Sequence, residues 1–600
     1  MARYQKLALA TLSLGFLLVV LGGVVRVSGA GSACGTDWPT CNGDLIPTSW
    51  TTDTVIAFSH RVLTAVGAVL TLALAALGWR LRSERQSLFV LPLAAVMLLA
   101  AQIALGGATV STGRPALLVT AHLGLAELYV GTLLTLTVVA FAPELARALG
   151  RPVGGHLTRL GRLALGAALA VFALTMTGSY LAVSGDSLAC SDWPLCNGRL
   201  IPSGWTAVDI HLVHQLVAAA ATLLVVAVGV LVRRIRSDSQ LIIALATATS
   251  VLMVVQIFVG AVSVWANRDP LVSVAHLSVA VVILGMLVAV VVLDRLIPVG
   301  AAVWRPAAPV TMRQRLSDYV TLTKPGVMVL LLVTTFCGML VAERGMPSWS
   351  LVWWTLLGGA LSAGGAAAMN HYMDRDIDAI MTRTRTRPVP SGRIPAVHVP
   401  VFGFTLTVLA VYILTVFVNP LAAVLSLSGN LFYVLVYTKV LKRSTPQNIV
   451  IGGAAGAMPP MVGWAAVTGN VALPALLMFA IVFYWTPPHF WSLALYKSGD
   501  YAAAHVPMFP EVYGPAETRR HIFLYTVMLV VTSLFFFPLR VMGLFYLVAA
   551  LIFGGIFLYK AYQLTHRPEA QEQLARSLFF YSIQYLGLLF AAMVIDRVWF

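Results

Sequence analysis

Long apolar runs alternate with short polar loops from one end of the chain to the other. Eight runs fall near 7–25, 54–78, 87–110, 118–141, 163–183, 208–232, 240–264 and 271–293. Nine more fall near 325–342, 350–370, 396–417, 421–438, 446–468, 473–492, 519–538, 543–563 and 578–596. Each is about as long as an α-helix must be to cross the hydrocarbon core of a bilayer. The runs are continuous and lack the period-two alternation of a barrel strand, so the expected fold is an all-α polytopic membrane protein. Between the two groups, residues 294–324 carry Asp294, Arg295, Arg305, Pro306, Pro309, Arg313, Arg315 and Lys324. This polar, proline-bearing stretch predicts a first domain over 1–295, a cytoplasmic linker over 296–323 and a second domain over 324–600.

Composition agrees with that reading. Hydrophobic residues make up 59% of the 600 and charged residues 10%, whereas a soluble chain carries about 25% charged residues. The first run has no small-residue cleavage site before Arg26 and is expected to remain as a helix. The formal net charge is +16, but the cations gather in alternate loops. Arg80, Arg82 and Arg85 form one group, Arg147, Arg151, Arg159 and Arg162 the next, and Arg233, Arg234 and Arg236 the third. Charge distributed this way orients helices in a membrane and argues against nucleic acid as a partner. It places these loops and the N-terminus in the cytoplasm of a bacterial-type cell, with the lipid bilayer as the first partner.

The first domain is a duplication. Cys34 opens C-G-T-D-W-P-T-C-N-G-D-L-I-P-T-S-W, and Cys190 opens C-S-D-W-P-L-C-N-G-R-L-I-P-S-G-W. His122 follows His60 by 62 residues, and His276 follows His214 by the same 62. Gln102 and Gln256 each precede the second histidine of their repeat by twenty. Matched spacing over this length marks two copies of one four-helix unit, at 1–150 and 151–295. The cysteine loops fall on the outer, oxidising side, where disulfides Cys34–Cys41 and Cys190–Cys196 are expected. Cys337 lies alone in an apolar run and reads as packing.

A single intramembrane histidine reads as an interhelical hydrogen bond. Four at one depth, two per repeat, read differently. Paired imidazoles on neighbouring helices can grip a haem iron from both faces. No carboxylate or cysteine joins them at the spacing a nonhaem metal needs. In these features, residues 1–295 resemble the haem A synthases, oxygen-dependent membrane enzymes that oxidise a methyl of haem O to the formyl of haem A. The resemblance implies that His214 and His276 hold a permanent haem b. It also implies that His60 and His122 form the pocket of the substrate haem and are catalytic, with O2 as oxidant and an electron donor yet to be assigned. The family usually has a glutamate three residues before the first histidine, and this chain has Ala57 there. Alanine cannot relay a proton, which implies impaired oxidase activity or a substitute acid. Glu127, in the same run as His122, reads either as that substitute or as a bond to a neighbouring helix.

In the second domain, residues 370–393 read N-H-Y-M-D-R-D-I-D-A-I-M-T-R-T-R-T-R-P-V-P-S-G-R. Asn370, Asp374 and Asp378 are spaced by four and share one helical face, with Asp376 off it. Two carboxylates and an amide so placed can bind Mg2+ that bridges diphosphate oxygens. Arg383 and Arg387 can neutralise departing phosphates. Lys442 and Arg443 lie in a second polar loop, and a third carries Lys497, Asp500 and Val506-Pro507-Met508 after Thr486-Pro487-Pro488-His489. Residues 324–596 resemble the intramembrane prenyltransferases, specifically the protohaem IX farnesyltransferase (haem O synthase) family. The Asn370–Gly392 and Thr486–Met508 blocks carry the likeness. It implies farnesyl diphosphate as co-substrate, haem B as acceptor, and Asn370, Asp374 and Asp378 as catalytic and metal-binding residues. Lys442, Arg443 and Lys497 would join the arginines on the diphosphate. General members have a second aspartate cluster, and here its positions are His489, Tyr496 and Asp500, which leaves Asp500 alone for Mg2+. His489 then faces either the haem or a structural hydrogen bond. Tyr484, Trp485 and Trp491 read either as steadying a cation or as packing.

Together the two resemblances imply one chain that converts haem B to haem O and then to haem A, serving terminal oxidase assembly. The competing reading is a bis-histidine haem b electron carrier, inactive as an oxidase, fused to a prenyltransferase for another acceptor.

Overall fold

The computed structural model describes residues 1–36, 38, 40–83, 85–149, 154–185, 207–265, 269–300, 311–496, 504 and 506–599. Two compact units are present, Met1–Trp304 and Arg305–Phe600. Sixteen helices among the described residues are long and apolar enough to cross a membrane, eight in each unit. The chain is therefore a multi-pass membrane protein. Helices satisfy the main chain internally, as hydrocarbon surroundings require.

The first unit comprises α1 (Ala2–Val27), α2 (Thr52–Arg80), α3 (Ser87–Ser111), α4 (Ala116–Ala140), the short α5 (Ala142–Leu149), α6 (Arg159–Val183), α7 (Ala207–Ile235), α8 (Gln240–Trp265) and α9 (Pro270–Leu296). Capping residues set several starts. Thr51 Oγ1 accepts from Thr54 N, Thr158 Oγ1 from Leu160 N, and Asp269 from Leu271 N, with Pro270 at the first helical position. In the first repeat α1 packs on α2, α2 on α3, α3 on α4 and α4 back on α1, which closes a four-helix ring. The second repeat closes the same ring with α6, α7, α8 and α9. The rings join where α4 meets α6 and α9, and where α1 meets α9.

A buried ion cluster ties the second ring at one end. Arg236 is fully buried, and its guanidinium donates to Asp294 Oδ1 (2.6 Å), to both carboxylate oxygens of Asp238 and to the carbonyls of Asp294 and Ile297. Asp294 also accepts from the amide and hydroxyl of Thr158 (2.8 and 2.9 Å). Gly161 comes so close to Asp294 that a Cβ there would lie 2.2 Å from Oδ2. Three helix ends, those of α6, α7 and α9, meet in one satisfied network. Arg236, which reads as a loop charge in the sequence, is an interior strut.

The second unit comprises α10 (Met312–Leu322), α11 (Pro325–Glu343), α12 (Trp349–Met373), α13 (Arg375–Ile380), α14 (His398–Phe417), α15 (Pro420–Leu431), a π-helical stretch over Phe432–Leu441, α16 (Lys442–Ser444), α17 (Asn448–Thr468), α18 (Leu473–Tyr496), α19 (Phe509–Leu534), α20 (Leu544–His566) and α21 (Gln571–Trp599). The segment expected as linker folds in part. α10 is capped by Thr311, Leu322 is fully buried, and the Asp318 carboxylate holds the Arg393 guanidinium at 3.0 Å. The seventh expected span is α19. Its first half carries Glu517, Arg519 and Arg520, and it bends at Gly514, where φ is 81°. The core of this unit is aromatic, built around Trp491, Tyr546, Tyr585, Phe557 and Phe590.

Candidate functional site

All four histidines sit near the N-termini of their helices: His60 on α2, His122 on α4, His214 on α7 and His276 on α9. Within each ring these helices stand diagonally, so each pair reaches inward from opposite sides. Each imidazole rests on a glycine of an adjacent helix. A Cβ at Gly22 would lie 3.5 Å from His60 Cε1, at Gly106 3.0 Å from His122 Cε1, at Gly178 2.9 Å from His214 Cε1, and at Gly260 3.2 Å from His276 Cε1. These glycines do not stand out by residue type, yet the sequence holds their signal. Gly106 and Gly260 are separated by the same 154 residues as the histidines, and Gly22 and Gly178 by 156, matching Cys34 and Cys190.

The matched glutamines act differently. Gln102 Nε2 lies 3.2 Å from His122 Nε2, whereas Gln256 Nε2 donates to the His276 carbonyl at 2.9 Å. Thr177 Oγ1 lies 3.1 Å from His214 Nδ1, and a cavity of about 290 Å³ lined by Met176, Thr177, Tyr180, Ile210 and Val213 adjoins it. The Nδ1 atoms of His60 and His122 are buried without a hydrogen-bond partner.

The disulfide Cys34–Cys41 is present, with Cα atoms 4.3 Å apart. Its loop is pinned over the ring. Arg61 donates to the Thr40 carbonyl, and Trp38 lies on Gly107 of α3. Ala57 is buried directly against Ala33 and the two cysteines. Its methyl is thus a packing contact under the bridge. Cys190 and Cys196 lie outside the described residues. Glu127, the candidate substitute, lies on α4 with His122. Five residues along α4 put it about 140° round the helix from His122. It faces α6 instead, where Oε2 accepts from Thr175 Oγ1 at 2.8 Å and Oε1 has no partner.

In the second unit the acidic face is not one unbroken helix. α12 ends at Met373, Asp374 caps it with φ −92° and ψ 5°, and α13 starts at Arg375. The turn still holds, because Asp374 N donates to Asn370 O (2.9 Å) and Asp378 N to Asp374 O (2.7 Å). Asn370, Asp374 and Asp378 are all buried. Asn370 Nδ2 donates to Asp374 Oδ2 (2.8 Å) and to Thr438 Oγ1 (3.1 Å). Around them stand four cations. Lys324 Nζ donates to Asn370 Oδ1, Lys442 Nζ to Asp374 Oδ2, and Arg387 to both oxygens of Asp378 at 2.9 and 2.8 Å. Arg443 takes Asp376 in a two-pronged contact (2.8 and 2.7 Å) and approaches Asp374 Oδ1 at 4.0 Å. Asp374 Oδ1 is buried without a hydrogen-bond partner.

Charge has built up here. Burial, and then the charges of Arg387 and Lys442, push the Lys324 ammonium down to about 7 against the pull of Asp374 and Asp378. The Arg443 hydrogen bonds hold exposed Asp376 down at about 2. Among the described residues no three His, Cys, Asp or Glu side chains converge as a self-sufficient metal site. A divalent ion here would draw the rest of its shell from a ligand.

The sequence pattern picks out Arg387, Lys442 and Arg443 but places the last two in a loop. They follow a π-helical stretch that also delivers Thr438, and such wide turns collect at functional sites. Lys324 reads in the sequence only as connector charge, because it lies 46 residues from the Asn370 it meets. Arg383 is exposed and makes no described contact with the cluster. Lys497 and Asp500 lie outside the described residues. His489 is enclosed: its ring stacks between Trp485 (4.3 Å) and Phe579 (4.7 Å), and its Nδ1 lies 2.7 Å from Ser582 Oγ. Trp485 donates to the Ser582 carbonyl, and Trp491 is fully buried against Phe509 and Tyr525.

Comparison with known proteins matches each unit separately. Residues 5–288 match the cytochrome oxidase assembly protein family COX15-CtaA, and residues 331–583 match the UbiA prenyltransferase family. A protein of Thermus thermophilus named protoheme IX farnesyltransferase is 38% identical over 604 residues, covering 97% of this chain and 96% of its own. One of the same name from Roseiflexus castenholzii is 44% identical over 475 residues, covering 75% of this chain and 86% of its own. A solved digeranylgeranylglyceryl phosphate synthase aligns with 48% of this chain and 99% of its own at 19% identity and a TM-score of 0.42. A UbiA homolog from Archaeoglobus fulgidus bound to DMAPP and Mg2+ aligns with 46% and 99% at 14% identity and a TM-score of 0.33.

The chain is a membrane prenyltransferase preceded by a duplicated oxidase-assembly bundle. It belongs to the protohaem IX farnesyltransferase family, in the form that carries a COX15-CtaA domain ahead of the UbiA domain.

Proposed function

We propose that the chain makes haem A in two steps: the second unit farnesylates haem B to haem O, and the first oxidises a haem O methyl to the formyl of haem A. The observation that carries the first step is the buried, unpartnered Asp374 Oδ1 inside a ring of four cations. A bound magnesium diphosphate would be held by Asp374 through that oxygen and by Lys324, Arg387, Lys442 and Arg443 through its anionic charge. Asn370, Asp374 and Asp378 supply hard oxygen donors that fit Mg2+, with Asp500 a further proposed ligand. When bound, Mg2+ lowers the charge on the leaving diphosphate.

The protein's own groups then act in sequence. Lys442 and Arg387, held by Asp374 and Asp378 in the free protein, turn to the diphosphate, and Lys324 and Arg443 add charge at its edges. As the carbon–oxygen bond breaks, its electron pair leaves with the diphosphate, and these cations stabilise the charge that develops. The vinyl π pair of the haem forms the bond to the allylic carbon, water adds to the cation left beside the macrocycle, and its proton passes to the released diphosphate or solvent, giving the hydroxyethylfarnesyl chain. We propose Lys497 and Arg383 only as outer contacts for the diphosphate.

For the second step, the donor set fits an iron porphyrin. Imidazoles come in pairs from diagonal helices, each on a glycine floor, and the His60 and His122 Nδ1 atoms lack partners. His214 and His276 would hold haem b, and His60 and His122 the substrate haem. A bound haem supplies the electron relay to O2. The chain's contribution is to clasp, orient and exclude water. We place the whole in a bacterial cell membrane with the cysteine loops outside, drawing electrons from a separate donor and passing haem A to terminal oxidase assembly.

The deciding experiment is extraction and mass identification of haems from the purified full chain, with and without farnesyl diphosphate and O2. Haem O with farnesyl diphosphate alone, and formyl haem once O2 is added, are expected. Haem b alone under every condition would favour the electron-carrier reading that Ala57 allows. Asp374→Ala is expected to abolish farnesyl transfer while leaving the absorbance of bound haem b intact; retained transfer removes the metal assignment.

A further inference from the structure

The end of the second unit remote from Asp374 holds a different site. α11 starts beside Lys324, in the diphosphate cluster, and its 19 residues end at Glu343. That length spans about 28 Å at the helical rise. At this far end lie the turns α11–α12, α14–α15, α17–α18 and α19–α20 and the close of α21. Among the described residues their charged side chains are Glu343, Arg344, Arg540, Asp596 and Arg597. Four of these five line a single cavity of about 520 Å³. Loops of this kind are otherwise uncharged here, so gathering three arginines on one hollow needs a cause.

Their local pairing does not supply it. Asp596 is committed to the start of α20, accepting from Gly543 N and Tyr546 N. Arg597 donates from Nη1 to the Val541 carbonyl (3.0 Å), while its Nε is buried with no partner. Arg344 and Arg540 have no ion pair and no side-chain hydrogen bond among the described residues, and both are exposed. Both also sit at positive φ, 59° and 55°. Glycine occupies that conformation at least cost, yet the chain places a guanidinium at each position. An unpaired buried donor and two unpaired cations around one cavity call for an anion with several acceptor oxygens.

The rim says which kind. Phe535, Phe537, Leu539 and Leu544 are exposed beside Arg540, and Phe537 and Met542 form part of the cavity wall. Water-facing phosphate sites are not bordered by bare aromatic and aliphatic side chains; the boundary between headgroups and acyl chains is. We propose that this cavity binds the phosphate headgroup of an anionic phospholipid, with Arg344, Arg540 and Arg597 on the phosphate and the apolar rim against the first carbons of the chains. The site is separate from the diphosphate cluster and does not depend on the reaction assigned to it.

The test is native mass spectrometry of the full chain in detergent, titrated with phosphatidylglycerol, phosphatidylcholine or inorganic phosphate. The wild type is compared with the double variant Arg344→Gln/Arg540→Gln. One tightly held phosphatidylglycerol is expected on the wild type, with affinity lower by about tenfold or more in the variant. Phosphatidylcholine should bind weakly and equally to both. Equal phosphatidylglycerol retention by the two proteins overturns the site. Inorganic phosphate displacing the lipid at equal concentration overturns the lipid assignment. If the double variant does not fold, Arg344→Gln alone, on an exposed side chain, should show a partial loss, and no loss counts against the proposal.

Discussion

Lys324 and Gly178 show how much single side chains decide at the two sites. Lys324 is held against Asn370 where burial and two other cations already oppose its charge. An anion would relieve that opposition, so its worth should appear when diphosphate binds. Lys324→Met is expected to raise the KM for farnesyl diphosphate about 10- to 100-fold with a smaller change in kcat, the loss of one charge-assisted hydrogen bond. Steady-state kinetics at varied farnesyl diphosphate checks it, and an unchanged KM removes Lys324 from the site. The glycine floors give a graded test in the other unit. Gly178→Ala would set a methyl 2.9 Å from the His214 ring, whereas Gly22→Ala would set one 3.5 Å from His60, an ordinary contact. If His214 holds haem as proposed, haem affinity, read from absorbance, should fall about tenfold for Gly178→Ala, the scale of a change beside a ligand. Gly22→Ala should leave it nearly unchanged.

Elements were legible wherever hydrophobicity alone decides them. The apolar runs mark the eight spans of the first unit and eight of the nine expected in the second, the exception being the run at 519–538 in the charged helix α19, and the matched cysteines and histidines mark the repeat. What stayed hidden depends on meetings across long stretches of chain. Arg236 and Asp294 are 58 residues apart, and in the sequence one reads as a loop charge and the other as part of the connector. Thr438 reaches Asn370 only because the chain widens into a π-helical stretch, which no periodicity announces. The Arg236 cluster has a measurable consequence at this scale. Removing the guanidinium leaves buried Asp294 and Asp238 uncompensated at the junction of α6, α7 and α9. Arg236→Ala is expected to destabilise the first unit by about 3–5 kcal/mol. Asp294→Asn keeps one of the two acceptor oxygens while Asp238 still holds the arginine, and should cost less. Denaturant unfolding in a fixed detergent, followed by intrinsic tryptophan fluorescence, ranks the two. An equal loss would mean that charge is not what holds the junction.

At the scale of the whole chain, covalent fusion makes sense if the product of one unit is the substrate of the other, because a tether raises the local concentration of each site for its neighbour's product. Farnesylated haem is strongly apolar and would otherwise be diluted through the bilayer. Two full-length chains, each lacking one activity, separate the tether from the catalysts. On the proposed assignments Asp374→Ala removes farnesyl transfer alone and His60→Ala removes oxidation alone, so a mixture would hold both activities but never in one molecule. In vesicles at high protein density, the mixture should approach the haem A output of the wild type. As lipid is added at constant protein, the mixture's output should fall in proportion to dilution while the wild type's holds. Parallel decline of both would show that haem O leaves the chain and returns by diffusion, and that fusion matters for expression rather than transfer. Output that holds in both would place the handover inside an oligomer, where the two variants meet regardless of dilution.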